Sequence, residues 1–326
     1  MAGSNEISRK EIEILRILSE LTEPVGSTFI KRELEKRGFF LSERTIRYHL
    51  KMLELRGLVS GHEKGGRTIT ERGLEELSRS LVSQRIGFVI TRFLSMAYSV
   101  TYDLATDSGL VVANISIVDK DSYDKIIEVV NMLRETNLLL APYIKILDEN
   151  EEYQNIFVPE GKIALFTVCD LTIDGILIHS GIPIFFKYGG LVQVVNRRPL
   201  RFIELISYEG TTVPPLELFV RSNQTSIMKV IRTGSGILPA AMREILAEAR
   251  EKTLEILSAL RDKGWGGILS ISAPNEPLLG VPISMDRFGL CMVGGLAPGA
   301  ALTEEGIKVE TFAPHCLIPI EEMKKI

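Results

Sequence analysis

The chain has 326 residues, of which 45% are hydrophobic and 25% charged, with a formal net charge of −4. The length predicts two or three domains, and the composition is that of an ordinary soluble globular protein. No apolar run approaches the roughly 20 residues that span a bilayer, and the first residues do not resemble a signal peptide. We therefore expect a cytoplasmic protein without a membrane partner.

The charge is unevenly distributed along the chain. Residues 1–85 contain 16 Lys and Arg against 13 Asp and Glu, whereas the remainder contains 22 against 29. A mildly basic head on an acidic body is compatible with a small nucleic-acid-binding domain joined to another domain. Chance unevenness explains the charges about equally well, so charge alone does not decide between the two.

Three short helices are predicted at the beginning of the chain. Ser8 and Glu11 have the spacing of a capping box in front of an apolar stripe at helical spacing. A second helix starts at Ser27 and ends at Gly38. Ser42 caps a third helix, LSERTIRYHLKMLELRG, which ends at Gly57.

The third helix has two different faces. Ile46, Leu50 and Leu53 form a buried stripe, and the outer face carries Arg44, Thr45, Arg47, Tyr48 and Lys51. After it, LVSGHEKGGRTIT predicts a two-stranded hairpin bearing His62, Lys64 and Arg67, and Thr70 caps a last helix.

Three helices, a basic hairpin and a helix are the order of a winged helix-turn-helix domain. The third helix of such a domain lies in the major groove of double-stranded DNA, where Arg reads guanine edges. Cationic side chains of the wing bind phosphates. We therefore predict a DNA-binding domain at residues 1–82, which contacts DNA through Arg44, Thr45, Arg47, Tyr48, Lys51, His62, Lys64 and Arg67. The alternative is a dimerisation module whose charges are merely solvated.

Residues 83–326 change to strands alternating with a few helices. GLVVANISIVD (109–119) predicts a buried strand, and the segment after it predicts a helix with Ile126, Ile127, Val130 and Leu133 inward. Residues 234–267 predict a longer helix with the stripe Met242, Ile245, Leu246, Ala249, Leu257 and Leu260, ending at Gly264.

An internal repeat is visible in this second region. Residues 181–205 align with residues 280–304 without a gap, and the matches include Gly181 with Gly280 and Pro183 with Pro282. Residues 107–113 are more weakly similar to 234–240. We predict two related halves, about 85–218 and 219–326. The fold class expected is α+β, an N-terminal winged helix-turn-helix followed by an α/β effector domain built of two related halves.

Residues 280–307, GVPISMDRFGLCMVGGLAPGAALTEEGI, resemble the signature segment of the NrpR domain of the archaeal nitrogen repressor family. The resemblance implies a transcriptional repressor of nitrogen-assimilation genes that binds a palindromic operator as a homo-oligomer, a dimer or tetramer. It also implies that 2-oxoglutarate acts as the inducer. Some family members carry two such domains, and this sequence shows one. A second NrpR-domain protein is therefore a possible partner, with this chain as a co-repressor.

A small dicarboxylate needs convergent donors, which glycine-rich turns and Arg side chains supply. The segments TGSG, VVNRRP and MVGGLAPG offer them. We predict that the effector is bound by Asn196, Arg197, Gly234, Gly236, Arg287, Gly294 and Gly295. Glycines that only serve tight turns are the alternative.

Neither a metal site nor catalysis has support in the sequence. Cys169, Cys291 and the pair His315–Cys316 match no metal-ligand spacing, and His179 is expected to be structural. Asp170 and Asp174 have no evident partner. We expect no catalytic residue, no cofactor and a chain that is not an enzyme, while a metabolic enzyme with a fused winged helix remains an alternative.

Overall fold

The computed structural model describes residues 7–21, 23–62, 66–79, 86–154 and 156–326. The chain divides into two compact units, Met1–Ile86 and Gly87–Ile326. The domain division expected at residues 82/83 lies in the segment 80–85, outside the described residues.

The N-terminal unit has the elements of a winged helix. They are α1 (Arg9–Ser19), α2 (Ser27–Lys36), α3 (Glu43–Leu55), β1 (Val59–Gly61), β2 (Arg67–Ile69) and α4 (Glu71–Arg79). The predicted capping box of Ser8 and Glu11 is confirmed, and the Ser42 hydroxyl accepts a hydrogen bond from the Thr45 amide as predicted. Thr70 caps α4 in the same way, since its Oγ1 accepts from the Gly73 amide at 3.0 Å.

The wing is held to the helices by a third chain segment. β1 and β2 pair antiparallel, with Ser60 opposite Thr68. Val25, between α1 and α2, adds a bridge to the outer side of β2, where Val25 and Arg67 exchange backbone hydrogen bonds of 3.1 and 2.9 Å. The segment between α1 and α2 therefore extends the hairpin and ties the wing to the helices.

The C-terminal unit is a mixed helix and strand structure, in agreement with the fold class expected. Its helices are α5 (Phe88–Tyr98), α6 (Tyr123–Glu135), α7 (Leu171–His179), α8 (Pro215–Arg221), α9 (Ile227–Thr233), α10 (Arg250–Asp262) and α11 (Ala297–Glu304). Its strands are β3 (Leu110–Asp119), β4 (Tyr143–Leu147), β5 (Glu152–Tyr153), β6 (Ile156–Phe157), β7 (Lys162–Val168), β8 (Ile184–Val195), β9 (Arg198–Ser207), β10 (Gly236–Leu246), β11 (Ile268–Ile271), β12 (Arg287–Val293), β13 (Glu310–Pro319) and β14 (Lys324–Lys325).

Two five-stranded antiparallel sheets form the core of this unit. Their strand orders are β13-β3-β7-β4-β14 and β11-β12-β10-β8-β9. The segment β3-α6-β4-β7-α7-β8 and the segment β10-α10-β11-β12-α11-β13 repeat one βαββαβ arrangement, each with a short 3-10 turn before its first helix. The two segments exchange their last strands, because β8 pairs with β10 and β13 pairs with β3.

This duplication corrects the alignment read from the sequence. The gap-free match of residues 181–205 with 280–304 places β8 on β12, but β8 leads into the hairpin strand β9 whereas β12 leads into α11. The matching residues Gly181 and Gly280 have φ of 80° and 85° and make similar turns before strands that are not equivalent. The weaker match of 107–113 with 234–240 is the one that leads into the equivalent strands β3 and β10.

One element differs from the sequence interpretation, and one helix lies where no element was predicted. The longer helix expected within residues 234–267 begins only at Arg250, and Met242, Ile245 and Leu246 lie on β10. A central strand buried on both faces is mostly apolar, so its apolar residues can also fit a helical spacing. Conversely, α5 is a helix in a segment rich in β-branched and aromatic residues, and Val89, Phe93 and Ala97 form its buried stripe.

Candidate functional sites

The third helix of the winged helix has the two faces predicted for it. Ile46, Leu50 and Leu53 are buried. Four residues of the predicted DNA surface, Arg44, Arg47, Tyr48 and Lys51, are exposed, and Tyr48 is 61% exposed.

The cations of α3 are not equally available. Arg47 donates to Glu43 at 2.8 Å and to the Ser27 hydroxyl at 3.1 Å, so the outer face is mixed in charge and not purely basic. Thr45 is half-buried, and its hydroxyl lies 2.8 Å from that of Ser42. Within the described part of the chain, Arg44 and Lys51 make no ion pair or side-chain hydrogen bond. These two cations are therefore the ones free to meet phosphates or base edges.

The wing contributes less charge than the sequence suggests. The Arg67 guanidinium lies 3.2 Å from Glu54 of α3 and is only partly exposed. This ion pair therefore connects the wing to α3. His62 is exposed, with its Nε2 2.8 Å from the Thr68 hydroxyl across the hairpin. Lys64, the third wing residue predicted to bind DNA, lies outside the described residues.

Phe40 was not predicted as a surface residue, yet its side chain is 80% exposed immediately before α3. Its neighbour Phe39 is half-buried, with Arg9 5.9 Å from the ring centroid. The signal in the sequence was the pair of phenylalanines directly before a capped helix, because the short link between two helices has room to bury only one of them.

The seven predicted effector residues do not form one site. Asn196 and Arg197, with φ of 50° and 63°, form the two-residue turn between β8 and β9. This turn meets Gly234, whose carbonyl accepts the Arg197 amide at 2.6 Å, and Ser235, whose hydroxyl accepts the Asn196 amide at 3.1 Å. The turn amides are thereby used within the protein, and the exposed guanidinium of Arg197 is left for a ligand.

The other predicted effector residues lie elsewhere in the unit. Gly236 opens β10 opposite Val194, one strand position from that turn. Arg287 is at the far end of the same sheet, where it donates to Glu244 at 2.9 Å and stacks on Phe185 at 3.6 Å. Gly294 and Gly295 follow β12 in the buried core.

A buried ion cluster occupies the middle of the C-terminal unit. Arg243 on β10 is fully buried and donates to both carboxylate oxygens of Asp174 at 2.8–3.1 Å and to Asp170 at 3.0 Å. The two acids that had no evident partner in the sequence therefore share one guanidinium, which also packs on Phe186. Burial raises the pKa of Asp174 to about 6, against the opposing effect of Arg243.

Asp170 connects this cluster to a cavity. Its Oδ1 accepts the Gly295 amide at 3.1 Å, which joins the start of α7 to the start of α11. A cavity lies beside it. Counted together with the open solvent at its mouth, its empty space is about 350 Å³, and the enclosed part is much smaller. Its walls are mostly apolar, and the polar side chains among them are Asn114, Cys169, Asp170 and Tyr208.

Cysteine and histidine side chains have structural surroundings. Burial raises the pKa of the Cys169 and Cys291 thiols far above their usual value and that of Cys316 to about 11, so all three are protonated. His179 donates from Nε2 to the Tyr98 carbonyl at 2.8 Å, as expected of a structural histidine. Among the described residues, no three His, Cys, Asp or Glu are grouped closely enough to hold a metal ion.

Both units resemble known protein families. Residues 86–325 match the NrpR regulatory domains NRD1 and 2, and residues 12–77 match the ribonuclease R winged-helix domain. A solved crystal structure of a nitrogen repressor-like protein from Methanococcus jannaschii has a TM-score of 0.62 and 27% identity, covering 73% of this chain and 97% of that one. In the described residues, no helix has the length and apolarity needed to cross a bilayer.

Curated relatives align along nearly the whole chain. The global nitrogen regulator NrpRI of Methanosarcina mazei is 39% identical over 98% of this chain and 99% of its own length. The global nitrogen regulators NrpR of Methanocaldococcus jannaschii and Methanococcus maripaludis are 33% and 30% identical, again over 98% of this chain. The alignments cover 56% and 55% of these two longer proteins, so the chain spans about half of their length.

Proposed function

Because the chain belongs to the NrpR family of nitrogen regulators, we propose that it is a transcriptional repressor of nitrogen-assimilation genes that binds operator DNA through α3 and the wing. It is a regulator and not an enzyme, as its named relatives are. The observation that carries the proposal is the outer face of α3, where Arg44 and Lys51 are exposed and unpaired within the described residues beside the exposed ring of Tyr48.

The experiment is a gel-shift titration with DNA from upstream of nitrogen-assimilation genes. Arg44→Ala is expected to weaken operator binding by about 1–3 kcal/mol and to relax sequence preference, because a lost bidentate contact to guanine has that effect. Lys51→Ala is expected to weaken all DNA alike and to flatten the salt dependence. Arg79→Ala is the matched control, since this exposed arginine of α4 already faces Glu75 at 3.7 Å.

A second function has one observation in its favour. Two of the four predicted Lys and Arg contacts that the structure describes, Arg47 and Arg67, are paired with acids of their own unit. A co-repressor that acts through a second NrpR-domain protein would tolerate such pairing. Wild-type operator affinity in the Arg44→Ala, Lys51→Ala double variant would support this co-repressor and contradict direct reading of the DNA.

We further propose that 2-oxoglutarate is the effector and that it is held by the exposed guanidiniums of Arg197 and Arg198 beside the β8–β9 turn. The support is chemical, since two neighbouring arginines complement a dicarboxylate. Isothermal titration with Arg197→Ala, Arg198→Ala should show no 2-oxoglutarate binding. Arg201→Ala, which removes an arginine of the same hairpin already bonded to Gln193 at 3.0 Å, should bind normally. Unchanged binding by the double variant would place the effector elsewhere.

We also propose that the protein acts as a dimer that pairs through β9 of each copy. β9 is an edge strand on which Leu200, Ile203 and Leu205 are all more than one-third exposed, and apolar edges of this kind pair with a second strand. The strand carries both Arg201 and Glu204, so two antiparallel copies are complementary in charge. A dimer also supplies the two DNA-binding domains that a palindromic operator requires.

Light scattering coupled to gel filtration tests the dimer. Ile203→Glu is expected to give a monomer, because it places a charge in the middle of the apolar edge. Phe157→Glu is the control, since this exposed side chain lies on β6, which belongs to a separate two-stranded sheet. A monomeric wild type, or an Ile203→Glu variant with the mass of the wild type, would contradict pairing through β9.

A further inference from the structure

Asn114 is an unusual residue for its position. It lies in the middle of β3 within the apolar run VVANISIV, pairs with Thr167 of β7 and is 2% exposed. Asn is depleted in strands, and a buried amide normally has hydrogen-bond partners. Neither its Nδ2 nor its Oδ1 has a hydrogen-bond partner of good geometry among the described residues, and its polar neighbour is the Cys169 thiol. A polar side chain in this state requires an explanation.

The structure around Asn114 explains how it comes to face a cavity. β13 pairs with β3 at Phe312–Ile115 and again at Cys316–Ala113, and the intervening residues bulge away opposite Asn114. The bulge contributes Ala313 and Pro314 to the cavity wall, next to the Asn114 amide. In the equivalent sheet Gly189 lies directly opposite Ala241, and the only nearby irregularity among the described residues is a single extra residue of β8, Lys187, between the pairs Tyr188–Met242 and Phe186–Arg243.

The cavity walls define the ligand that would fit. The polar side chains of its wall are Asn114, Cys169, Asp170 and Tyr208, and Phe93, Leu171 and Leu216 are among its apolar residues. None of the described residues that line it is cationic. A carboxylate would therefore lack a counter-charge and would face Asp170, whose own oxygens are occupied by Gly295 and Arg243.

We propose that this cavity is a binding site for a compact, uncharged ligand that carries a carboxamide. Such a group pairs with Asn114 at two points: its carbonyl accepts from Nδ2, and its N–H donates to Oδ1. The volume limits the rest of the ligand to a small apolar body. The site is separate from the arginine pair proposed for 2-oxoglutarate and selects for the opposite chemistry.

A ligand here would touch both halves of the unit. Asn114 and Cys169 belong to the first βαββα segment, and Gly295 and Ala313 belong to the second. Occupancy would therefore stabilise the junction between the halves. Binding can be measured on the full chain without DNA, so failure of the proposed repressor function would not affect the result.

The test uses a matched pair of probes, isobutyramide and isobutyrate, in a thermal-shift titration of the full chain. At about ten times its dissociation constant, isobutyramide should raise the melting temperature by about 3–5 °C, whereas isobutyrate of the same shape should not. In Asn114→Leu the amide should have no effect. An equal shift with both probes, or no shift with isobutyramide up to its solubility, would overturn the proposal.

A second variant keeps the test decisive if Asn114→Leu does not fold. Ala313→Leu places a larger side chain on the half-buried rim of the cavity and should block the amide while preserving the fold. In the wild type, isobutyramide should also shift the side-chain NH2 resonance of Asn114 in ¹⁵N spectra. Crystals soaked in isobutyramide that show only ordered water against Asn114 would contradict the site.

Discussion

The two halves of the C-terminal unit differ in how an equivalent strand packs against a helix. In one, Arg243 of β10 packs under α7 against Asp174 and Asp170. At the equivalent place in the other, Ser116 of β3 packs under α11 against Gly299, so closely that a Cβ on Gly299 would lie 2.9 Å from the Ser116 hydroxyl. Duplication has thus produced one charged contact and one made of small residues.

This difference shows how a repeated fold acquires a single site. The charged contact anchors Asp170, which binds the Gly295 amide from the other half, and the cavity lies against that link. In the small-residue contact the helix lies directly on the strand. Close packing therefore holds one junction, and a hydrogen-bonded ion cluster beside an opening holds the other.

The largest effect is expected from breaking the ion cluster. Arg243→Met should lower the free energy of unfolding by about 3–5 kcal/mol, because it leaves two buried carboxylates without their partner. The loss should be smaller at pH 5 than at pH 8, since burial raises the pKa of Asp174 and this carboxyl takes up a proton in acid. Urea denaturation at both values measures this. Arg221→Met, which removes an exposed pair with Glu217, should change stability by less than about 1 kcal/mol.

A smaller effect is expected when a methyl group is added at Gly295, just before α11, or at Gly299, in the first turn of α11. A Cβ on Gly295 would lie 2.5 Å from Asn114 Nδ2 and 3.0 Å from the Cys169 backbone, whereas one on Gly299 meets the rotatable hydroxyls of Thr311 and Ser116. Gly295→Ala should therefore cost about 1–3 kcal/mol, and Gly299→Ala should cost less. Equal losses in urea denaturation would show that the two junctions tolerate volume alike.

The smallest effect concerns the bulge of β13 between Phe312 and Cys316, which is larger than the one-residue irregularity of β8 at Lys187. Burial, with Arg92 nearby, lowers the pKa of His315 below its usual 6.5. The unfolded chain then takes up a proton more readily than the folded one, so stability is full above pH 6.5 and falls as the pH drops below it. His315→Phe should remove this part of the pH dependence in melting curves between pH 7 and 5. Identical curves for the two proteins would show that His315 does not titrate there.

The winged helix was predictable from the sequence because its determinants are local. The caps Ser8, Ser42 and Thr70 lie within three residues of the amides they bind, and the stripe of Ile46, Leu50 and Leu53 has a helical period. The ion-pair partners of its Arg side chains are harder to predict from the sequence. Arg67 meets Glu54 only once the wing folds back on α3.

The core of the C-terminal unit was not predictable, since its determinants lie far apart in the chain. Arg243 in the second repeated segment forms its ion pair with Asp174 in the first. The cavity is present because the pairing of β13 with β3 shifts in register opposite Asn114. The stronger sequence match rests on turn glycines, which occur wherever a chain reverses. The strands that are structurally equivalent share little more than their apolar character. The strand containing Asn114 was recognised, and the amide within it was the overlooked signal.

The exchange of β8 and β13 has a consequence for how the protein reaches its native state. The strand beside β3 comes from the end of the second segment, so Cys316 must find Ala113 before the first sheet is complete. Such contacts between distant parts of the chain slow folding and leave an open strand edge on the nascent protein. We therefore expect the first segment to emerge during synthesis as an unfinished sheet and the two halves to become stable together.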